Sequence, residues 1–332
     1  MKAIRIRKKS VLSYVLTRRP TGGPRGGLAS ALSRLMSGQN MRKPALQLTV
    51  AKTVVFSGVG LHTGEDCRVE LRPAGADHGV VFYRTDKAAP GNMIAAAPEN
   101  VVGADHGTTL ANEVGVTVAT IEHLMAALAL TGVDNVRVDV TGAEIPILDG
   151  SSAAFVSAIA DAGVRKLNAP RRPIVVEEAQ SFADRERSIT VEPYDGRRIE
   201  IEIDFGDCLI GRQTLSLDLD DPMDIARLST ARTFCRLHEV EALRTAGLIR
   251  GGALSNGLVV DGDKLLNPEP LRDPAEFALH KALDLIGDFY LLGGPLIGKV
   301  RAVRPGHSLN TRVALSLARA VEAAAQPARA SA

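Results

Sequence analysis

Residues 271–310 read LRDPAEFALHKALDLIGDFYLLGGPLIGKVRAVRPGHSLN. Asp273-Pro274 pairs an N-cap residue with a proline suited to the first helical turn, and Glu276 puts an acid at the positive end of the helix dipole. The pattern predicts a helix from there to about Leu291, stopped by Gly293-Gly294-Pro295. On that helix His280 and Asp284 are one turn apart on one face, Asp288 lies a further turn along, and Lys281 is beside them. Ala278, Ala282 and Leu285, with Leu279, Leu283 and Ile286, cover most of the remaining circumference, so the helix is expected to be buried. A buried histidine and two carboxylates need partners, because unpaired buried charge is costly. Ordinary hydrogen bonds would serve; a zinc ion within reach of both His280 and Asp284 is the alternative. Two ligands do not complete a site, so the rest of the chain must supply a third.

Upstream of this helix the pattern is strand-like twice over. Residues 46–58 (LQLTVAKTVVFSG), 67–73 (CRVELRP) and 79–84 (GVVFYR) alternate or run β-branched, separated by Gly, Pro and Asp. A short β segment at 114–120 then leads into TIEHLMAAL (120–128), a helix with Thr120 as a plausible N-cap. Glu122 and His123 fall in its first turn, where they either cap the helix or face a site. DNVRVDV (134–140) reads as a strand, AEIPILDGSS (143–152) as a turn ordered by Glu144 and Asp149, and 151–163 as a helix.

NAPRRP (168–173) reads as a linker, after which strands resume at 173–182 and 188–194, and RRIEIEIDF (197–205) alternates cleanly enough for an antiparallel hairpin. ARTF (231–234), a helix near 238–246, a small hairpin at 258–266 and a terminal helix over 311–324 complete this half. Each half places strands first and helices later, which predicts an α+β chain of two similar layered domains. The boundaries expected are an arm over 1–44, domains over 45–167 and 174–325, and a tail over 326–332.

At 332 residues the chain can hold two sizeable cores, and 45% hydrophobic with 23% charged residues is the balance of an ordinary globular protein. No apolar run is long enough for a transmembrane segment. The absence of tryptophan and the few aromatics argue against a stacking platform for single-stranded nucleic acid. Cys67, Cys208 and Cys235 are scattered and odd in number, which points to a reducing compartment. The eleven cations ahead of Pro44 meet no acid before Glu65, so the net charge of +2 corresponds to −9 over the remainder. Such an arm suits an anionic surface, an organelle transit peptide, or an upstream extension ahead of a start at Met41; it is expected to be disordered. GVGLHTG (58–64) has neither P-loop nor dinucleotide spacing, and its His62 is read as a loop histidine near a ligand.

The polar groups in apolar surroundings are therefore Glu122-His123, then His280, Lys281, Asp284 and Asp288, then His307 in GHSLN (306–310). Two histidines and a carboxylate match a hydrolytic zinc site with a fourth position for water, Glu122 could act as general base, and His307 remains as an acid. TIEHLMAAL, AEIPILDGSS, ARTF, HKALDLIGD (280–288) and GHSLN, in this order, resemble the UDP-3-O-acyl-N-acetylglucosamine deacetylases, zinc enzymes that commit bacteria to lipid A synthesis; the likeness covers about residues 47–322.

That resemblance implies zinc on His123, His280 and Asp284, with Glu122 as general base and His307 as protonated acid or oxyanion stabiliser. It further implies that Thr233 donates to the oxyanion, that Asp288 orients His307, and that Phe234 and Lys281 contact substrate. The fold implied is two βα sandwich domains of the ribosomal-protein-S5-domain-2-like type with the site between them. Inserts near 97–119 and 236–268 would form the cleft and an apolar acyl passage. The chain departs from the family at Cys235 and Arg236, where a small residue is usual, and in its basic arm.

The reaction expected is hydrolysis of the 2-acetamido group of UDP-3-O-[(R)-3-hydroxyacyl]-N-acetylglucosamine, by a monomer in the bacterial cytoplasm with no stable nucleic-acid partner. Two rivals stand beside it: a nucleic-acid-binding protein using the basic arm, and a non-catalytic nucleotide-sugar binder.

Overall fold

The computed structural model describes residues 12–13, 24–36 and 45–325. Two sheets carry the fold. The first holds β1 (Leu12–Ser13), β2 (Val54–Val59), β3 (Asp66–Pro73), β4 (Val80–Arg84), β5 (Met93–Ala95) and β6 (Val136–Thr141), in the order β1-β2-β3-β6-β4-β5. The second holds β7 (Ile174–Val175), β8 (Gln180–Asp184), β9 (Arg187–Glu192), β10 (Arg197–Asp204), β11 (Arg212–Asp218) and β12 (Leu296–Val303), in the order β8-β9-β12-β10-β11, with β7 also on β12.

The two sheets repeat one topology. In the first, β2 and β3 are antiparallel, β6 is antiparallel to β3 and parallel to β4, and β4 and β5 are antiparallel. In the second, β8-β9, β9-β12, β12-β10 and β10-β11 follow the same sequence of orientations. The alternation in RRIEIEID sends Ile199, Ile201 and Ile203 to the core and the charged residues between them outward. The α+β class and the layered repetition legible in the chain are thus present, with two parallel pairs in each sheet, β1-β2 and β6-β4 in the first and β7-β12 and β12-β10 in the second.

Helices α1 (Pro24–Met36), α2 (Glu122–Thr131), α3 (Ala153–Ala162), α4 (Pro222–Ser229), α5 (Leu237–Thr245), α6 (Glu276–Phe289) and α7 (His307–Ala325) cover the sheets. The repetition extends to them: α2 and α6 each precede the central strand of their sheet, and α3 and α7 each follow it. The equivalent helices α2 and α6 pack on one another. They approach so closely that a Cβ added at Gly287 would stand 2.1 Å from the backbone oxygen of Glu122. Two three-stranded sheets, Val101–Gly103, Thr109–Ala111 and Thr117–Val118 in the first half and Phe234–Arg236, Leu258–Asp261 and Lys264–Leu265 in the second, and a two-stranded sheet of Leu46–Val50 with Val164–Pro170 complete the described strands.

Several local expectations differ from what is found. Helix α6 begins at Glu276, not at Asp273-Pro274, because the Asp273 carboxylate accepts the Ala275 amide (3.0 Å) and its carbonyl accepts the Glu276 amide (3.0 Å), closing a separate turn. Glu276 is fully buried on Arg232, with Arg232 Nε donating to its Oε1 at 2.8 Å. Thr120 is not the cap of α2; its φ is +55° and its hydroxyl donates to Glu144 Oε1 at 2.9 Å. Helix α7 starts at His307, four residues earlier than its apolar periodicity suggests.

The expected linker at 168–173 is structured in part, since Val164–Pro170 pair with Leu46–Val50 and Arg171 is buried on Asp134. Within the expected disordered arm, Pro24–Met36 form α1, because Leu28 and Leu32, one turn apart, are buried with Ala29 where the helix packs on α3 and α4. The rest of the arm apart from β1, including Met41, and the tail at 326–332 lie outside the described residues.

Candidate active site

The contact between α2 and α6 opens into a cleft of about 770 Å³, closed on its other sides by the start of α7, by α5 with the second three-stranded sheet, and by the loops at 61–62 and 105–106. His123 reaches it from the first turn of α2, His280 and Asp284 from one face of α6. Asp284 Oδ1 is 3.3 Å from His280 Nε2 and 3.7 Å from His123 Nε2. Two ligand atoms about 2.0–2.1 Å from one tetrahedral ion lie about 3.3 Å apart, so these spacings suit a shared cation. The donor set is prepared for one. His280 Nδ1 donates to the Ala231 carbonyl (3.1 Å), which leaves the Nε2 lone pair facing Asp284. Asp284 Oδ2 accepts from Lys281 Nζ (2.9 Å), whereas the buried Oδ1 accepts no hydrogen bond among the described residues.

Electrostatics hold the same three groups in their ligating forms. Burial, with His280 adding to it, lowers the pKa of His123 to about 3, and burial likewise lowers that of His280, so both imidazoles are neutral. Burial works against the Asp284 carboxylate, but cationic neighbours, Lys281 and His307 among them, outweigh it and hold it well below the usual range.

Beside this triad stand two groups shifted in opposite senses. Burial raises the Glu122 carboxyl to about 7, with His307 opposing the rise. For His307 burial favours the neutral ring, yet Asp288, Asp284 and Glu122 together push its pKa up to about 10. His307 Nδ1 is 2.9 Å from Asp288 Oδ2, so Nε2 is the nitrogen turned toward Asp284, at 3.8 Å. Glu122 does not cap its own helix: its Oε2 accepts the Thr108 amide at 2.9 Å.

Thr233 and Phe234 line the second-half wall. The Thr233 amide donates to the Gly150 carbonyl (2.8 Å), a bond that joins the LDGS turn of the first half to the ARTF segment of the second. The Phe234 ring lies 5.4 Å from Lys281 Nζ and 6.2 Å from the His280 ring. Asp288 stands behind His307, and the other eight singled-out residues, Glu122, His123, Thr233, Phe234, His280, Lys281, Asp284 and His307, all line the cleft. His62 is at the cleft too, bonded through Nε2 to the His106 carbonyl (3.0 Å) and separate from the triad. Cys235 and Arg236 also line it; the Arg236 guanidinium is drawn to Glu239 on α5 (2.7 Å).

Three supporting groups escaped sequence reasoning. Thr108 links Glu122 to Asp288, its hydroxyl donating to Asp288 Oδ1 at 2.5 Å. Glu144, expected to order its own turn, gathers more distant donors: the His62 and Thr63 amides and the Thr63 and Thr120 hydroxyls, at 2.7–2.9 Å. Arg272 crosses to Asp149 (2.8 Å), whose other oxygen holds Ser151, so the Asp149 expectation stands. No short-range pattern announces such contacts; they join residues far apart in the chain.

Comparison with known proteins adds an independent result. Residues 47–319 match the protein family described as UDP-3-O-acyl N-acetylglycosamine deacetylase. The chain is 47% identical over 272 residues to the UDP-3-O-acyl-N-acetylglucosamine deacetylase of Phenylobacterium zucineum, covering 82% of this chain and 93% of that one. It is 47% identical over 268 residues to the enzyme of that name from Myxococcus xanthus (80% and 84% covered), and 42% identical over 280 residues to that of Chromobacterium violaceum (84% and 92%).

Proposed function

The chain belongs to the UDP-3-O-acyl-N-acetylglucosamine deacetylase family, and from that premise we propose how its own residues remove the acetyl group. It is a hydrolase of lipid A biosynthesis, a metalloenzyme that converts UDP-3-O-acyl-N-acetylglucosamine to the free amine and acetate. The resident metal proposed is zinc, held by His123, His280 and Asp284. One observation carries this: a buried carboxylate oxygen, bonded to nothing among the described residues, between the Nε2 atoms of two neutral histidines. Zinc bound there supplies Lewis acidity toward the acetyl carbonyl and toward water.

The remaining work falls to the side chains. Glu122, the general base, takes a proton from the attacking water at its carboxylate. The Thr233 hydroxyl donates to the acetyl oxygen as negative charge develops, an interaction strengthened in a water-poor cleft. His307, charged at neutral pH and held through Nδ1 by Asp288, delivers a proton from Nε2 to the amine nitrogen as the C–N bond breaks. Lys281 and Phe234 are assigned to substrate contact. Val240, Leu243 and Ile249, which line the cleft beyond them, are assigned to the acyl chain.

We read residues 45–167 and 174–325 as the two repeated units and the cleft as lying between them, a division supported by the matching sheet topologies. The assigned residues need no second copy of the chain, so a monomer is the form proposed. No helix among the described residues is long and apolar enough to cross a membrane. The three free cysteines and the nucleotide-sugar substrate support the bacterial cytoplasm as the site of action.

The test is acetate release from UDP-3-O-acyl-N-acetylglucosamine by purified protein, before chelation, after it, and after adding zinc back. Release lost with chelator and restored by one equivalent of zinc or less is the expected result. A folded, metal-loaded protein that releases no acetate would overturn the assignment.

A further inference from the structure

We propose that Thr108 is a positioning residue that locks the proton-accepting and proton-donating sides of the site to each other; the role rests on the assignment of Glu122 and His307 above. Thr108 is fully buried at the start of the Thr109–Ala111 strand. Its amide donates to Glu122 Oε2 (2.9 Å), and its carbonyl accepts the Ile121 amide (3.3 Å), which fixes it to the first turn of α2. Its hydroxyl reaches across to α6 and donates to Asp288 Oδ1 at 2.5 Å, lying 3.4 Å from His307 Nδ1. One residue therefore touches the base, the orienting carboxylate and the acid.

The geometry gives the hydroxyl a task the other donors leave open. Asp288 Oδ2 accepts from both His307 Nδ1 and Asn310 Nδ2, each at 2.9 Å. Both of those bonds converge on one oxygen, so rotation of the carboxylate about its Cβ–Cγ bond, which displaces Oδ2, is opposed from the other side only where Oδ1 is held, and Thr108 Oγ1 holds it. A swing of that plane carries the His307 ring with it and moves Nε2 relative to the scissile nitrogen. The backbone is shaped for this approach: Gly107 has φ +153°, and a Cβ there would come within 3.0 Å of Glu122 Oε1.

Thr108→Val keeps the shape and the amide but deletes the hydroxyl; Thr108→Ser keeps the hydroxyl. In full-length, zinc-loaded protein, Thr108→Val should lower kcat by about 10- to 100-fold, the range for losing an orienting partner, with KM within about twofold. Thr108→Ser should restore kcat to within about threefold of the parent, since the group that holds Oδ1 is back. A readout free of turnover is the downfield Nδ1–H proton resonance of His307, which should broaden or move upfield in Thr108→Val and return in Thr108→Ser.

Equal damage from Ser and Val, or a Val variant with parental kcat and an unmoved resonance, overturns the proposal. If Thr108→Val does not fold, Thr108→Ala, which relieves crowding, carries the same comparison with Ser. Should the parent protein show the resonance but release no acetate, the reaction assignment fails, while the resonance response still decides the role of Thr108.

Discussion

Asp284 Oδ1 stands 3.7 Å from His123 Nε2 across the contact of α6 with α2, too far for a hydrogen bond and well placed for a shared ion. The two atoms belong to helices that occupy equivalent places in the two repeats. On the proposed ligand set, the metal would tie the halves together as well as serve the reaction.

Replacing Asp284 with alanine should reduce bound zinc, measured by elemental analysis after dialysis, to below one equivalent. The same variant should lose about a thousandfold or more in kcat/KM, because several kcal/mol of charge stabilisation leaves with the ion. A variant that retains full zinc and activity would show that His123 and His280 suffice. Zinc should also raise the unfolding midpoint of the parent, since an ion that binds the folded state stabilises it by mass action.

With Glu122 as the proposed base and His307 as the proposed acid, their opposed shifts predict the pH dependence. Glu122 acts ionised and is raised to about 7, so activity falls as pH drops through its pKa; a bound dication lowers that pKa, placing the acidic limb at or below 7. His307 acts protonated and is pushed up to about 10, so activity falls as pH rises through a value at or below 10. A kcat/KM profile should be bell-shaped, and His307→Ala should abolish the alkaline limb at a greatly lowered plateau. If both limbs persist in His307→Ala and in Glu122→Ala, neither group has the role assigned to it.

How legible this site was depends on how far apart its partners lie in the chain. His280, Asp284 and Asp288 stood out because they repeat at helical spacing among apolar residues, and Glu122-His123 because two ionisable groups open an apolar helix. Thr108 gave no such signal: its partner Asp288 is 180 positions away, and a threonine before a strand is unremarkable by itself. Glu144 is illegible for the same reason, its donors lying on loops at 62–63 and at Thr120. Local pattern starts α6 too early, because Asp273 has the side chain of an N-cap but uses it on the Ala275 amide in a preceding turn. Local propensity does not weigh a tertiary partner such as Arg232, which takes Glu276 into the core.

That partnership has a measurable cost when broken. Glu276 is fully buried and accepts from Arg232 Nε (2.8 Å), Arg232 Nη2 (3.1 Å), and the amides of Arg232 (3.1 Å) and Arg272 (2.6 Å). Glu276→Ala leaves the Arg232 cation buried without its anion and should destabilise the fold by about 3–5 kcal/mol. Urea unfolding of the zinc-loaded protein measures it; a loss below about 1 kcal/mol would mean that water replaces the carboxylate. Because Arg232 immediately precedes Thr233, kcat should fall as well.

Gly287 tests the closeness of the two central helices. It lies inside α6, where glycine is intrinsically unfavourable by about 1 kcal/mol relative to alanine, so Gly287→Ala should stabilise if propensity alone mattered. The added methyl would instead stand 2.1 Å from the Glu122 carbonyl oxygen, a backbone atom that cannot rotate aside. The helices must separate, and overpacking of this kind costs about 1–3 kcal/mol. Separation also moves Glu122 and His123 away from His280 and Asp284, so zinc affinity and kcat should fall together while acyl-chain preference, assigned above to Val240, Leu243 and Ile249, should stay as it was. A Gly287→Ala protein more stable than the parent would mean that α2 shifts without strain; unchanged zinc affinity would show that the triad tolerates the shift.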